Sequence, residues 1–320
     1  MLYQRLALAC LVLPTFSGPT FSGLAQNAAE RPKVLGVAHV ALYIKDLAKT
    51  RQFYEDFLGY AEPFTLPKKS GDVRIAFVKI NDHQYLELFN EADRGEGQLN
   101  HVSIYTDNAD QMRDYLASKG VEVPAKVGKG KTGNKNFNIK DPDGHIVEIV
   151  EYEPDSWTGR DYGKFMPATR ISDHIMHAGV LAGELDKSLQ FYTGILGFKE
   201  FWRGSGSGKQ LSWVNLRVPD GDDYIELMLY NKLPEPGNRG TKNHISLMVP
   251  DAQKAVDELQ ARAKRGLYDK EIKIQVGVNR KRQVNLYDPD GTRIELMEPN
   301  TVDGKTAPSS TAPPPHATDN

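Results

Sequence analysis

Short stretches in which apolar and polar residues alternate give way to a helical spacing and then return to alternation, and this change of period recurs four times along the chain. Residues 34–44 alternate and read as a strand, with His39 on the same face as Val37 and Ala41. Asp46 can cap a helix running through residues 51–58, where Phe53 and Phe57 lie four apart on one buried side. Gly59 supplies its left-handed stop. Residues 60–65, 73–80 and 84–89 read as three more strands and close a β-α-β-β-β unit. A second unit follows: a strand over 101–105, a helix over 109–118 ended by Gly120, and strands over 121–127, 136–139 and 145–150, with a Pro142-Asp143-Gly144 turn before the last.

The whole arrangement then repeats. Gln52-Phe53-Tyr54 with Leu58-Gly59 returns as Gln190-Phe191-Tyr192 with Leu196-Gly197, and Asp141-Pro142-Asp143-Gly144 returns as Asp288-Pro289-Asp290-Gly291. Asp251 can cap a helix over 252–264 that Gly266 follows. The pattern predicts an α+β chain of four related units in two domains, 34–152 and 171–298, joined by an ordered linker over 153–170. Residues 26–33 read as a polar linker. Residues 299–320, rich in Pro, Ser, Thr and Ala, bury too little apolar area to order themselves and are expected to be disordered.

Length agrees with this division, since 320 residues suffice for two cores. The net charge of −2 gives no polybasic surface, so no nucleic-acid partner is expected. The first 25 residues carry Arg5, an apolar run over 6–16 and a small-residue end at Gly23-Leu24-Ala25, which reads as a cleavable export signal too short to span a bilayer. The expected location is therefore periplasmic or secreted, with no membrane attachment after cleavage. Cys10, the only cysteine, lies in that segment, so the mature chain has no disulfide and any metal must take nitrogen and oxygen ligands.

Candidate chemistry lies on the strands. His39, Glu87, His101 and Glu148 are separated by 48, 14 and 47 residues; His177, Glu226, His244 and Glu295 follow the same order at 49, 18 and 51. Each sits in a strand-like stretch such as VAHVAL, YLELF, NHVSI or RIELME. A lone strand histidine is more often a satisfied core residue than a ligand. Eight ionisable residues at matching positions need partners once buried, and a cation is the simplest one. Two imidazoles with two carboxylates suit a divalent first-row metal such as Ni, Zn, Co, Mn or Fe, and leave about two of six octahedral positions open.

These residues and motifs, in order and twice, resemble the vicinal oxygen chelate superfamily, and within it glyoxalase I most. The resemblance covers residues 34–152 and 171–298. It implies that the units pair into two eight-stranded, cup-shaped mixed sheets, each gathering one quartet around a metal at its floor. It also implies a lyase or isomerase acting on a small α-oxo or α-hydroxycarbonyl compound through a metal-stabilised enediolate, with Glu148 and Glu295 as the favoured proton-transferring bases. Whether a cup forms within a domain or by exchange between domains stays open, and a monomer is expected because the two domains make an internal pseudo-dimer. The alternatives are an extradiol-type ring-cleaving dioxygenase, against which Glu87 and Glu226 argue by filling positions a substrate needs, and a non-catalytic antibiotic-binding protein, against which the intact ligand sets argue.

Remaining candidates carry less. His174 is expected to face away from His177, and His83 and His145, beside turns, to be solvated. Gly128-Lys129-Gly130-Lys131-Thr132-Gly133 lacks the order of a phosphate loop and reads as a mobile rim loop whose lysines could meet an anionic substrate. Trp202 and Trp213 either line the second cup or fill its core.

Overall fold

A computed structural model describes residues 30–91, 98–239 and 242–315. The expected export signal lies outside the described residues, and among those described no helix is long and apolar enough to cross a membrane.

Each half is one eight-stranded curled sheet. The first contains β1 (Val34–Tyr43), β2 (Ala61–Pro67), β3 (Val73–Lys79), β4 (Tyr85–Phe89), β5 (Leu99–Thr106), β6 (Gly128–Lys129), β7 (Lys135–Lys140) and β8 (Ile146–Glu151), in the order β2-β3-β4-β1-β5-β8-β7-β6. The second contains β9 (Ile175–Ala182), β10 (Lys199–Gly204), β11 (Trp213–Arg217), β12 (Tyr224–Leu229), β13 (His244–Met248), β14 (Ile274–Val276), β15 (Lys281–Tyr287) and β16 (Arg293–Thr301), in the matching order β10-β11-β12-β9-β13-β16-β15-β14. In the centre of each sheet the first strands of two units run antiparallel, β1 beside β5 and β9 beside β13, and each is flanked by the last strand of its own unit in parallel. Both units of a cup therefore come from the same half of the chain, which settles the question of exchange.

The helices pack on the outer faces. Asp46 caps α1 (Leu47–Arg51) by accepting from the Lys49 amide, and the helix continues as a π-helical segment, Gln52–Phe57, that buries Phe53, Tyr54 and Phe57. Asn108 caps α2 (Ala109–Ser118) and Asp251 caps α5 (Ala252–Arg262) in the same manner. A short helix, α3 (Trp157–Arg160), lies in the connection between halves, and α4 (Leu185–Leu189) repeats α1 with its own π segment, Gln190–Ile195. Gly59 has φ +84, and a side chain there would overlap the Thr169 carbonyl, so the turn after α1 admits only glycine.

One continuous cluster of buried apolar side chains runs through both halves, so the sheets share a core. Two pairs of hydrogen bonds reinforce the joint. The Tyr54 hydroxyl donates to Asp288 and the Tyr192 hydroxyl to Asp141, both at 3.1 Å. The Lys45 amide donates to Asp290 at 3.1 Å, and the Gly183 amide to Asp143 at 3.0 Å. The recurring FY and DPDG motifs thus meet across the halves: each aspartate turn also ties its own backbone, Asp141 taking the His145 amide and Asp288 the Thr292 amide.

Three expectations are corrected. Residues 121–127 form no strand; Pro124 lacks a ladder donor, and Val121, Val123 and Val127 pack against the core without pairing, leaving β6 as a two-residue edge. Residues 299–315 are not disordered. β16 runs on to Thr301, Ala307 is buried, the Ser310 amide donates to the Arg203 carbonyl, and the Leu211 amide donates to the Pro313 carbonyl. The segment needs no core of its own because it borrows backbone partners at the rim of the second sheet. His145 is buried rather than solvated, with its Nδ1 3.0 Å from Asp141.

Candidate metal centres

Strand register gathers each quartet. In the first cup Ala41 on β1 lies between Glu87 on β4 and His101 on β5, and Ser103 on β5 lies between His39 on β1 and Glu148 on β8. In the second, Gly179 lies between Glu226 and His244, and Ser246 between His177 and Glu295. Small residues at these crossing points leave room for four long side chains on the concave face.

In the first cup the Nε2 atoms of His39 and His101 face each other at 2.9 Å. Glu87 and Glu148 carboxylate oxygens each lie 3.6 Å from His39 Nε2, and 3.9 and 3.6 Å from His101 Nε2. Two nitrogens bound at about 2.1 Å to one ion and at right angles would stand about 3 Å apart, so the separation fits a shared metal. The Asn100 Oδ1, 2.8 Å from His101 Nδ1, can only accept; Nδ1 therefore carries the proton and Nε2 presents its lone pair to the centre. Burial, and then His101, pushes His39 well below the usual imidazole range, and burial pushes His101 down to about 4. Burial lifts Glu148 to about 7, and burial with the charge of Glu148 lifts Glu87 well above the usual carboxylate range. Neutral imidazoles and under-compensated carboxylates together are what a divalent cation relieves.

Above this floor opens a cavity of about 390 Å³. Phe64, Leu66, Ile75, Phe77 and Phe89 form an apolar wall, while Lys131, Thr132, Asn134, Asn136 and Asn138 face them. Part of the rim loop over 128–133 thus lines the cavity, as its lysines suggested. Arg74 at the mouth is ion-paired with Glu91.

The second cup has the same donors in a different setting. His177 Nε2 and His244 Nε2 stand 3.0 Å apart, Glu295 lies 3.6 Å from His177 Nε2, and Glu226 lies 3.5 Å from His244 Nε2. His39, Glu87 and His101, and likewise His177, His244 and Glu295, form groups that can hold a metal ion. Burial lifts Glu226 to about 8 and raises Glu295, with Arg293 opposing both shifts. Arg293 Nη2 approaches His244 Nδ1 to 2.7 Å, nearer than the Lys242 carbonyl at 3.3 Å. His177 Nδ1, Arg293 Nε and Glu295 Oε2 are buried without hydrogen-bond partners. Beside the glutamates the cavity is about 80 Å³, bounded by Trp202, Trp213, Arg293 and Met297, so both tryptophans line this cup; a neighbouring cavity of about 320 Å³ shares Trp202 with it and is lined by Asn215, Tyr224 and Lys281. Met176, Tyr224 and Met297 fill more of its interior.

The recurring His-Glu pattern gives Arg293 no role. Its position two residues before Glu295 on one strand was sufficient to place it on the ligand face. His174 is not on β9; it forms an ion pair with Asp223 at 2.7 Å, and Asp223 also takes the Val37 amide and the Gln84 side chain, which makes it a joint between halves. His83 stacks on Tyr105 with ring centroids 5.5 Å apart.

A sequence model of the Glyoxalase/Bleomycin resistance protein/Dioxygenase superfamily matches residues 36–149 and 173–296. Glyoxalase I of Saccharomyces cerevisiae is 22% identical over 331 residues, covering 85% of this chain and 94% of the relative. A probable lactoylglutathione lyase of Vibrio parahaemolyticus is 27% identical over 123 residues, 36% of this chain and 89% of the relative. Among solved structures, a Mn(II)-bound glyoxalase from Novosphingobium aromaticivorans superposes with TM-score 0.63 at 18% identity, covering 88% of each chain. A 2,3-dioxygenase from Pseudomonas sp. KL28 superposes with TM-score 0.64 at 18% identity, covering 89% of this chain and 97% of the other. At these identities the structural likenesses speak to the fold.

Proposed function

The chain belongs to the Glyoxalase/Bleomycin resistance protein/Dioxygenase superfamily, and from that premise we propose that it is a metal-dependent isomerase or lyase acting in the first cup on a small α-oxo or α-hydroxycarbonyl compound. The observation that carries the reading is the meeting of His39, Glu87 and His101 in a group that can hold a metal ion, with Glu148 oxygens 3.6 Å from both imidazoles, beneath a substrate-sized cavity. These four would hold a divalent ion, which supplies a Lewis acid for substrate oxygens. Asn100 keeps His101 in the ligating tautomer. The carboxylate of Glu148, on β8 at the cavity floor, takes a proton from one substrate carbon and returns it to the next. The apolar wall around Phe64 and Phe77 excludes water, and Lys131 meets a negative substrate group at the mouth.

Two carboxylates in the set favour this chemistry over ring cleavage, which needs open positions for both a catechol and oxygen. The test is elemental analysis of the purified protein followed by methylglyoxal–thiol and aerobic catechol assays on one sample. Isomerisation of the thiol adduct is the expected result; ring cleavage in its absence overturns the reading. For residues 1–25 the proposal is export with cleavage near Ala25, checked by mass spectrometry of the mature amino terminus, which should lack residues 6–16.

A further inference from the structure

The two ligand cages differ at a position that no donor count registers. The residue two places before the last-strand glutamate is Ile146 in the first cup and Arg293 in the second. Strand parity turns both toward the cup interior, and both line its cavity. Arg293 Nη2 stands 2.7 Å from His244 Nδ1. A guanidinium has donors only, so Nδ1 must accept. A neutral imidazole that accepts at Nδ1 carries its proton on Nε2, the atom that would have to bind a metal. His244 Nε2 then donates to His177 Nε2 at 3.0 Å, which puts the His177 proton on Nδ1. In the first cup Asn100 imposes the opposite tautomer on His101.

Charge makes the same distinction. The first cage holds two glutamates and no cationic residue among its ligands or at position 146. The second holds two glutamates and a guanidinium. Lys281, half-buried, also acts on Glu295. A dication added to the second cage would join the buried guanidinium of Arg293, and the cost of uncompensated buried charge is large.

We propose that Arg293 is the resident cation of the second cup, that it excludes a divalent metal there, and that the chain binds one ion, in the first cup. The proposal rests on the reading of the first quartet as the metal centre, and the experiment separates the two. Protein stripped of metal is titrated with Mn(II), and bound ions are counted per chain after gel filtration. One ion is expected, lost in His39→Ala and retained in His177→Ala. Arg293→Ile, which copies the first cup, is expected to bind two; Arg293→Lys, which keeps the charge, is expected to bind one and serves as the control for altered packing. Two ions in the unaltered protein, or one that His177→Ala removes and His39→Ala spares, overturns the proposal. So does an Arg293→Ile variant that folds and gains no ion. No ion in the unaltered protein sinks the metal reading of the first cup, while a gain in Arg293→Ile still supports the assignment of Arg293. Histidine 15N NMR of the metal-free protein gives a readout independent of loading: His244 is expected as the Nε2–H tautomer and His101 as the Nδ1–H tautomer, and an Nδ1–H His244 overturns the proposal.

Discussion

Asn100 and Asn243 occupy the same position, each immediately before the second histidine of its cup, and they do different work. Asn100 Oδ1 takes the Nδ1 proton of His101; Asn243 Oδ1 instead takes the Leu181 amide at 3.2 Å, and the nitrogen it leaves free is met by Arg293. The walls differ as well: at the register position of Ile75 on β3 the second cup has the larger Trp213 on β11, and at that of Phe77 it has the polar Asn215. Four matched donors thus sit in two surroundings, one with Ile146 beside the last-strand glutamate and the other with Arg293 there. A ligand set identifies a metal site only together with what holds the far nitrogen of each imidazole.

The strongest way to break this comparison is the pair Glu148→Gln and Glu295→Gln. The first is expected to lower turnover at full metal loading by about 10²-fold or more, as loss of a general base does, and the second to leave it within about twofold. Equal losses in steady-state assays would show two equivalent centres. Next in size is the asparagine pair. Asn100→Leu is expected to weaken Mn(II) binding by about 10- to 100-fold, the usual consequence of losing the group that orients a ligating histidine. Asn243→Leu should leave the ion count unchanged and lower the melting temperature, because it orphans a buried amide.

A third test uses pH. Glu148, pushed up to about 7, is protonated below that pH and must release its proton to a metal. Metal affinity should therefore fall by about tenfold for each pH unit below 7, or more steeply where Glu87 also binds a proton. For the metal-free protein the sign is opposite: a raised carboxylate pKa contributes stability that is present below the ordinary carboxylate range and lost as pH rises through about 7. The rise in melting temperature on adding Mn(II) should accordingly grow between pH 6 and pH 8. An ion-induced shift that shrinks over that range would place the proton elsewhere. The smallest effects are expected where the halves agree. Tyr54→Phe and Tyr192→Phe each remove one hydrogen bond at the joint and should each cost about 1 kcal/mol by denaturant unfolding.

Much of this architecture was legible because buried charge on apolar strands is rare and its fourfold recurrence rarer still. The eight strand histidines and glutamates, the caps at Asp46 and Asp251 and the DPDG turns all announce themselves in local sequence. Arg293 was equally visible in RIELME, and parity put it on the ligand face, but an arginine ahead of a glutamate usually reads as a solvated charge pair. What parity cannot convey is that the guanidinium ends on an imidazole nitrogen rather than in water. The expected disorder over 299–320 fails for 299–315 for a related reason: the composition excludes a core of its own and says nothing of partners lent by Arg203 and Leu211. The switch from α to π spacing at Gln52 and Gln190 left no mark in a hydrophobic pattern that fits both.

The reciprocal bonds from Tyr54 to Asp288 and from Tyr192 to Asp141 have a consequence for the history of such a chain. Each half supplies a wall of the other's core, so a duplicated copy fused in this way is shielded from deletion even when its chemistry is no longer used. Selection on the first cup alone would preserve the strands, turns and helices of the second, and with them every donor whose side chain also fills space. What is free to drift is the cage interior, where a single exchange at position 293 trades an imported cation for an inherited one. A cut in the connection over 153–170 would release not two modules but two incomplete ones, each exposing the apolar surface it had covered for its twin.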